Sequence, residues 1–337
     1  MAKITVLGSG GFGIALSVML SKYGHTVSLW SAFEEEAEEL ARTREHKKLL
    51  SGIVLPPSVL VTSDDSVVGS AELLLFAVPS SAVREVAARI KRNVVPAAVV
   101  ASVAKGFEPS TQKRLSQVLK EELPHNEIVI LSGPSHAEEV AVGVPTTLVA
   151  ASESRAAAEY VQDEMMNEVF RIYVNDDVAG VELGGALKNV IALAAGICDG
   201  LKLGDNTKAA LMTRGITEIA RLGVALGAKA ETFAGLSGIG DLIVTCTSMH
   251  SRNRRAGILI GEGMPAAEAV KAIGMTVEGY KATVNAYELA RRTGVEMPIT
   301  EQMYKVLFEN YPVTGAVADL MGRPKKHETE SVWVKPQ

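Results

Sequence analysis

Cysteine is nearly absent. Cys198 and Cys246 are the only two in 337 residues, too few for the disulfide framework of a small secreted protein, and they read as reduced thiols of a cytoplasmic chain. Aromatic residues make up 5% of the chain, so Ala, Val, Leu, Ile and Met have to fill the core. The histidines are scattered, without His-x-x-x-His or Cys-x-x-Cys spacing, so no protein-built metal site is expected. The formal net charge is -5, which leaves no broad basic surface for a nucleic acid. A few local cations would still suffice for a small anion. No apolar run matches the ~20 uninterrupted residues of a membrane span. The apolar stretch 4–20 is not read as a signal peptide, because Gly8, Gly10, Gly11 and Gly13 interrupt it and Lys3 is its only early cation.

The length suits two domains. In the first half, short apolar runs at 4–7, 26–30, 59–61, 73–78, 99–103, 128–131, 146–149 and 170–174 alternate with helix-length segments at 12–23, 34–44, 82–91, 112–123 and 153–166. Strands that are apolar throughout are covered on both faces. Alternation of strand and helix predicts a doubly wound, mostly parallel α/β sheet of Rossmann type. Beyond residue 178 no strand is evident. Helical segments at 181–201, 208–226, 254–262, 266–273, 280–292, 299–308 and 313–321 are separated by stop signals such as Gly227, Gly263, Pro265, Gly294 and Pro298. The expected division is a dinucleotide-binding domain over 1–178 and an all-helical substrate domain over 179–337. The segment 322–337 reads as a loosely held end.

The first motif with chemistry is Gly8-Ser9-Gly10-Gly11-Phe12-Gly13, placed between the first strand and the first helix. The first glycine permits the tight turn, the second a close approach to a pyrophosphate, and the third close helix–strand packing. A helix N-terminus then offers free N–H groups to the phosphates. About 20 residues further on, an acid is expected at the cofactor ribose. Glu34 is a candidate, although Glu34, Glu35 and Glu36 would also suit the first turn of the next helix. No Lys or Arg lies between Trp30 and Arg42 to neutralise a 2′-phosphate, which favours NAD over NADP.

Four further regions follow. Lys105 comes just after a buried strand, where an open α/β sheet places its ligands. The stretch Ser132-Gly133-Pro134-Ser135-His136-Ala137-Glu138 also follows a strand, and Ser135 with Glu138 has the spacing of a capping box. In Gly184-Gly185-Ala186-Leu187-Lys188-Asn189, a lysine sits among apolar neighbours at helical spacing. Burial would lower its pKa toward a value useful in proton transfer, or its stem would cross apolar surface to reach water. The two glycines weaken a helix by about 2 kcal/mol relative to alanines, so a close neighbour is expected there. Lastly, Gly238-Ile239-Gly240-Asp241 precedes Ser251-Arg252-Asn253. Ser251 reads as an N-cap, and a helix start carrying a hydroxyl, a guanidinium and an amide suits a phosphate.

Taken in order, Gly8–Gly13, Ser132–Glu139, Gly184–Asn189, Leu236–Asp241 and Ser251–Asn253 resemble the bacterial NAD(P)-dependent glycerol-3-phosphate dehydrogenases. The resemblance runs over nearly the whole chain. It implies a Rossmann domain followed by a helical domain like that of 6-phosphogluconate dehydrogenase. The implied activity is interconversion of sn-glycerol 3-phosphate and dihydroxyacetone phosphate, supplying phospholipid synthesis. It implies Lys188 as proton acceptor, with Lys105, Asp241 and Asn189 in the catalytic set. The same residues Lys105, Lys188 and Asp241, with Gly133, Ser135, Ser251, Arg252 and Asn253, are implied substrate contacts. Gly8, Gly10, Gly11, Phe12, Gly13, Lys105, Ala137, Arg252 and Glu278 are implied cofactor contacts, Glu278 by the resemblance alone. A homodimer is expected by analogy. One departure stands out: many members carry His-Arg or Arg-Arg shortly after the second strand, where this chain has Ala32-Phe33. NAD is therefore the expected cofactor, with some use of NADP. The weighed alternatives are a dehydrogenase of a carboxylate substrate and a non-catalytic NAD sensor, neither of which needs a lysine beside a phosphate clamp.

Overall fold

A computed structural model describes residues 1–328. The first half is one sheet. Its strands are β1 (Lys3–Leu7), β2 (Thr26–Trp30), β3 (Leu60–Thr62), β4 (Leu73–Phe76), β5 (Val99–Ser102), β6 (Ile128–Ser132), β7 (Thr146–Ala151) and β8 (Phe170–Asn175). Their order is β3-β2-β1-β4-β5-β6-β7-β8. All pairs are parallel except β6 with β7. The helices of this half are α1 (Gly11–Lys22), α2 (Glu34–Thr43), α3 (Val83–Ile90), α4 (Leu115–Glu122), α5 (Ala137–Ala141) and α6 (Arg155–Met165). They cover both faces, so β4 is buried along its whole length, as its uninterrupted Leu-Leu-Leu-Phe requires.

The second half is helical: α7 (Val178–Gly200), α8 (Gly204–Ala225), α9 (Asp241–Thr247), α10 (Arg252–Gly261), α11 (Ala266–Ala272), α12 (Glu278–Thr293), α13 (Pro298–Phe308) and α14 (Val313–Met321). The 23-residue α7 has the length and mean composition to cross a membrane, but Glu182 and Lys188 interrupt its apolar run, as the sequence expectation requires, and its residues 180–198 are all buried inside the protein. Small residues line its seam with α10. A Cβ on Gly257 would stand 2.1 Å from the carbonyl oxygen of Leu193, and one on Gly196 would stand 2.1 Å from that of Arg254.

The halves are clamped together at the start of α7. Asp177 caps the helix, accepting the Gly180 N–H at 2.9 Å and the Thr232 hydroxyl at 2.6 Å. The buried Glu182 accepts the Ser116 N–H at 2.8 Å and Arg114 Nη1 at 2.7 Å, so α7 is tied to the N-terminus of α4. Phe107, from the loop after β5, buries its ring in the core of the helical half.

The helix expected over 112–123 begins only at Leu115. Phe107 and Arg114 form an isolated bridge, and Gln112 takes a left-handed φ of 59°, so this segment folds back on itself before α4 starts. Within the end expected to be loose, the described residues 322–328 are exposed, and Arg323 and Lys326 both pair with Glu296. Positions 329–337 lie outside the described residues.

Candidate active site

The glycine turn sits where β1 gives way to α1. The Gly8 N–H donates to the Trp30 carbonyl at 2.8 Å. Its φ is +117°, and a Cβ there would stand 2.7 Å from the Ala77 oxygen. A Cβ on Gly13 would fall 1.9 Å from the Gly8 oxygen, so the third glycine is what lets α1 pack on the turn. At Gly10 a Cβ would meet nothing within 4 Å, and no side chain caps α1. Open space before uncapped N–H groups is the form a pyrophosphate fits. Phe12 is partly buried against the core on the first turn of α1, and Ala137 from α5 lies 3.8 Å from the Cβ position of Gly11.

Beyond the ends of β5 and β6, three charged side chains converge. Lys105 Nζ donates to Oδ2 of Asp241 at 2.7 Å and to the Gly133 carbonyl at 2.8 Å. Lys188 Nζ donates to the other oxygen of Asp241 and to Thr245 Oγ1, the latter at 2.7 Å. Lys188 is 5% exposed and Asp241 1%. Burial is the main force on Lys188 and, with the repulsion of Lys105, outweighs the attraction of Asp241, bringing its pKa down to about 7. Burial alone would raise the Asp241 carboxyl, but the two ammonium groups overcome it and hold it below the ordinary carboxylate range.

The two glycines of α7 explain how these groups meet. A Cβ on Gly184 would lie 2.5 Å from the Ser237 oxygen, and one on Gly185 2.6 Å from Ser132 Oγ and 3.6 Å from the Lys105 stem. Gly184 thus admits the π-helical turn Leu236–Gly240, which delivers Asp241. Gly185 admits the end of β6 and Lys105.

The capping box expected at Ser135 does not form. Helix α5 starts at Ala137 after His136, without a side-chain cap. The Ser135 hydroxyl instead donates to the Gly133 carbonyl at 3.0 Å, the same oxygen that accepts Lys105. This turn braces the lysine rather than the helix.

The expected cap at Ser251 is present, its oxygen accepting the Arg254 N–H at 3.2 Å. Arg252 is largely enclosed, and among the described residues it has no hydrogen-bonded or ion-paired partner. Desolvation lowers its pKa, opposed through space by Glu278 and Glu138. Glu278, at the start of α12, accepts the Ser80 hydroxyl at 3.3 Å. Asn253 is more committed than the sequence suggested: Oδ1 accepts the Gly279 N–H at 2.8 Å and Nδ2 donates to Asn189 at 2.9 Å. Its side chain joins α7, α10 and α12. Arg254 is structural, bound to Asp199 at 2.7 Å and to the Thr247 carbonyl at 2.6 Å.

Sequence reasoning missed Thr245. Its spacing of four from Asp241 on one helix face was the available signal. Glu34, the candidate ribose acid, is exposed on the first turn of α2. No group of three or more His, Cys, Asp or Glu able to hold a metal ion occurs among the described residues.

Comparison with known proteins adds an independent line. The family model described as the NAD-dependent glycerol-3-phosphate dehydrogenase N-terminus matches residues 3–158, and that described as its C-terminus matches residues 177–318. Over 332 residues the chain is 55% identical to glycerol-3-phosphate dehydrogenase [NAD(P)+] of Desulfitobacterium hafniense, covering 98% of this chain and 94% of the relative. The enzyme of the same name from Moorella thermoacetica is 56% identical, with 98% of each chain covered. Among solved structures, glycerol-3-phosphate dehydrogenase from Coxiella burnetii is 38% identical with a TM-score of 0.92, covering 96% of this chain and 99% of that one.

Proposed function

Because the chain belongs to the NAD-dependent glycerol-3-phosphate dehydrogenase family, we propose that it interconverts sn-glycerol 3-phosphate and dihydroxyacetone phosphate with NAD(P). The observation that carries the reading is the Lys188–Asp241–Lys105 cluster, with Lys188 and Asp241 buried, in a chain that also carries a glycine turn shaped for a pyrophosphate and, at a helix N-terminus, an arginine without a side-chain partner among the described residues.

Gly8 to Gly13, with Phe12, Ala137, Lys105, Arg252 and Glu278, would hold the dinucleotide. When bound, its nicotinamide supplies the acceptor or donor of hydride. The protein's own part is to position substrate and move a proton. Arg252 and the free N–H groups of α10 bind the phosphate, with Ser251 and Asn253 fixing the shape of that helix start. The phosphate contact provides orientation remote from the reacting carbon. Gly133 and Ser135 form the wall beside Lys105. Asp241 and Thr245 hold Lys188 Nζ toward the substrate's 2-hydroxyl, and Asn189 braces Asn253. Neutral Lys188 accepts the hydroxyl proton during oxidation. As an ammonium it returns that proton during reduction. Lys105 stabilises negative charge developing on the same oxygen.

The same reading divides the chain into a dinucleotide-binding unit over 1–178 and a helical substrate unit over 179–337. It makes the protein a cytoplasmic homodimer whose glycerol 3-phosphate feeds phospholipid synthesis. The test is consumption of NADH on addition of dihydroxyacetone phosphate, with a 2-oxo acid of similar size as the comparison. Turnover with the phosphate ester alone is expected. Turnover with the 2-oxo acid alone would replace this reading with a carboxylate dehydrogenase.

A further inference from the structure

In a doubly wound sheet the acid that reads the cofactor ribose normally stands at the end of β2. Here that place is taken by Ser31. It follows Trp30, whose carbonyl accepts the Gly8 N–H at 2.8 Å, so it adjoins the glycine turn. Ser31 is 1% exposed, and its N–H donates to the Thr62 carbonyl at 3.0 Å. Its hydroxyl donates to Oε2 of Glu36 at 2.9 Å and accepts the Phe33 N–H at 3.3 Å. The carboxylate missing from the strand end is therefore delivered from the first turn of α2. Glu36 is half-buried, and its other oxygen is 3.5 Å from His46 Nε2. The loop carrying His46 leans on the glycine turn, with the Leu49 oxygen 3.0 Å from the Cβ position of Gly11. Glycine turn, strand end and acid are therefore neighbours.

The cations nearby are otherwise engaged or exposed. Arg89 donates to the Ala32 carbonyl at 3.0 Å, but its charge meets Asp65 at 2.9 Å and its plane lies over Trp30. Arg44 is turned to the carbonyls of Pro56 and Val59. Lys47 and Lys48 are exposed on the His46 loop.

We infer that Glu36, tethered by Ser31, reads the adenosine ribose and sets a preference for NAD over NADP. This rests on the reading that the glycine turn holds a nicotinamide dinucleotide. A carboxylate accepts hydrogen bonds from the two free ribose hydroxyls and repels a 2′-phosphate. The test is calorimetric titration of the full chain with NADH, NADPH and adenosine 2′,5′-bisphosphate, for wild type, Glu36→Gln, Ser31→Ala and the exposed-site control Glu35→Gln. Wild type is expected to bind NADH more tightly than NADPH. Glu36→Gln is expected to narrow that ratio by about tenfold, the size of one lost charge-assisted hydrogen bond, and to strengthen binding of the bisphosphate. Ser31→Ala narrows it less, and Glu35→Gln leaves it unchanged. An unaltered ratio in Glu36→Gln, or a wild type that favours NADPH, overturns the inference while the dinucleotide reading stands. If wild type binds neither dinucleotide, both fall.

Discussion

Lys105 Nζ lies 2.7 Å from Oδ2 of Asp241, although the two residues are 136 positions apart. The contact joins the sheet half to the helical half at the point where Asp241 also holds Lys188. One carboxylate thus binds two ammonium groups, one through each oxygen. Lys188 is brought to about 7 because burial and Lys105 outweigh Asp241. With Lys188 in the proposed role of proton acceptor, oxidation of the alcohol requires its neutral form, so the rate is expected to rise with pH through about 7 and level off above. Reduction of the ketone needs the ammonium and is expected to fall over the same range. The inflection belongs to the coupled cluster rather than to one residue. Asp241→Asn removes the largest influence that favours the charged lysine, so the inflection moves to lower pH while turnover drops by about 100-fold or more. Kinetic pH profiles in both directions check this. An inflection that stays in place in Asp241→Asn would contradict it.

Arg252 and Arg254 differ in their contacts: among the described residues the Arg252 side chain has no hydrogen-bonded or ion-paired partner, whereas Arg254 is bound to Asp199 and the Thr247 carbonyl. Arg252→Ala is expected to weaken substrate binding by about 1.5–3 kcal/mol, raising KM for dihydroxyacetone phosphate with little change in melting temperature. Arg254→Ala breaks bonds to Asp199 and the Thr247 carbonyl, so its main effect is a lower melting temperature. Paired kinetics and thermal unfolding separate the two. A KM unchanged in Arg252→Ala would place the phosphate site elsewhere.

The seam between α7 and α10 has no room for another carbon. In Gly257→Ala the new Cβ would press on the Leu193 oxygen at 2.1 Å, which is backbone and cannot swing aside. A loss of about 1–3 kcal/mol is expected, as for other overpacked cores, read from the denaturant midpoint. A variant as stable as wild type would mean that the two helices can separate without cost.

The order of strands and helices was legible because the two kinds of segment differ in hydrophobic period and are punctuated by glycine and proline. The glycine turn, Lys188 and the Ser251 cap were legible for the same local reason. The pairings across the two halves were not. Nothing in sequence shows that Gly184 and Gly185 make room for Ser237, Ser132 and Lys105, or that Asn253 spends its side chain on Asn189 and Gly279. At Ser135 the local signal misled, since a hydroxyl can serve a nearby carbonyl as readily as a helix start. At the end of β2 the acid was sought by distance along the chain, which pointed to Glu34. The bond between the Ser31 hydroxyl and Glu36 is a contact of the folded chain that spacing from the glycines does not show.

The measurement closest to the central claim is a single-turnover comparison of wild type with Lys188→Ala, made alongside fluorescence titration of NADH. Lys188 makes its polar contacts with Asp241 and Thr245, away from the glycine turn. The variant is therefore expected to bind NADH as wild type does and to lose the hydride-transfer phase with dihydroxyacetone phosphate. A variant that binds NADH normally and still reduces the ketone at close to the wild-type rate would remove Lys188 from the chemistry and contradict the account.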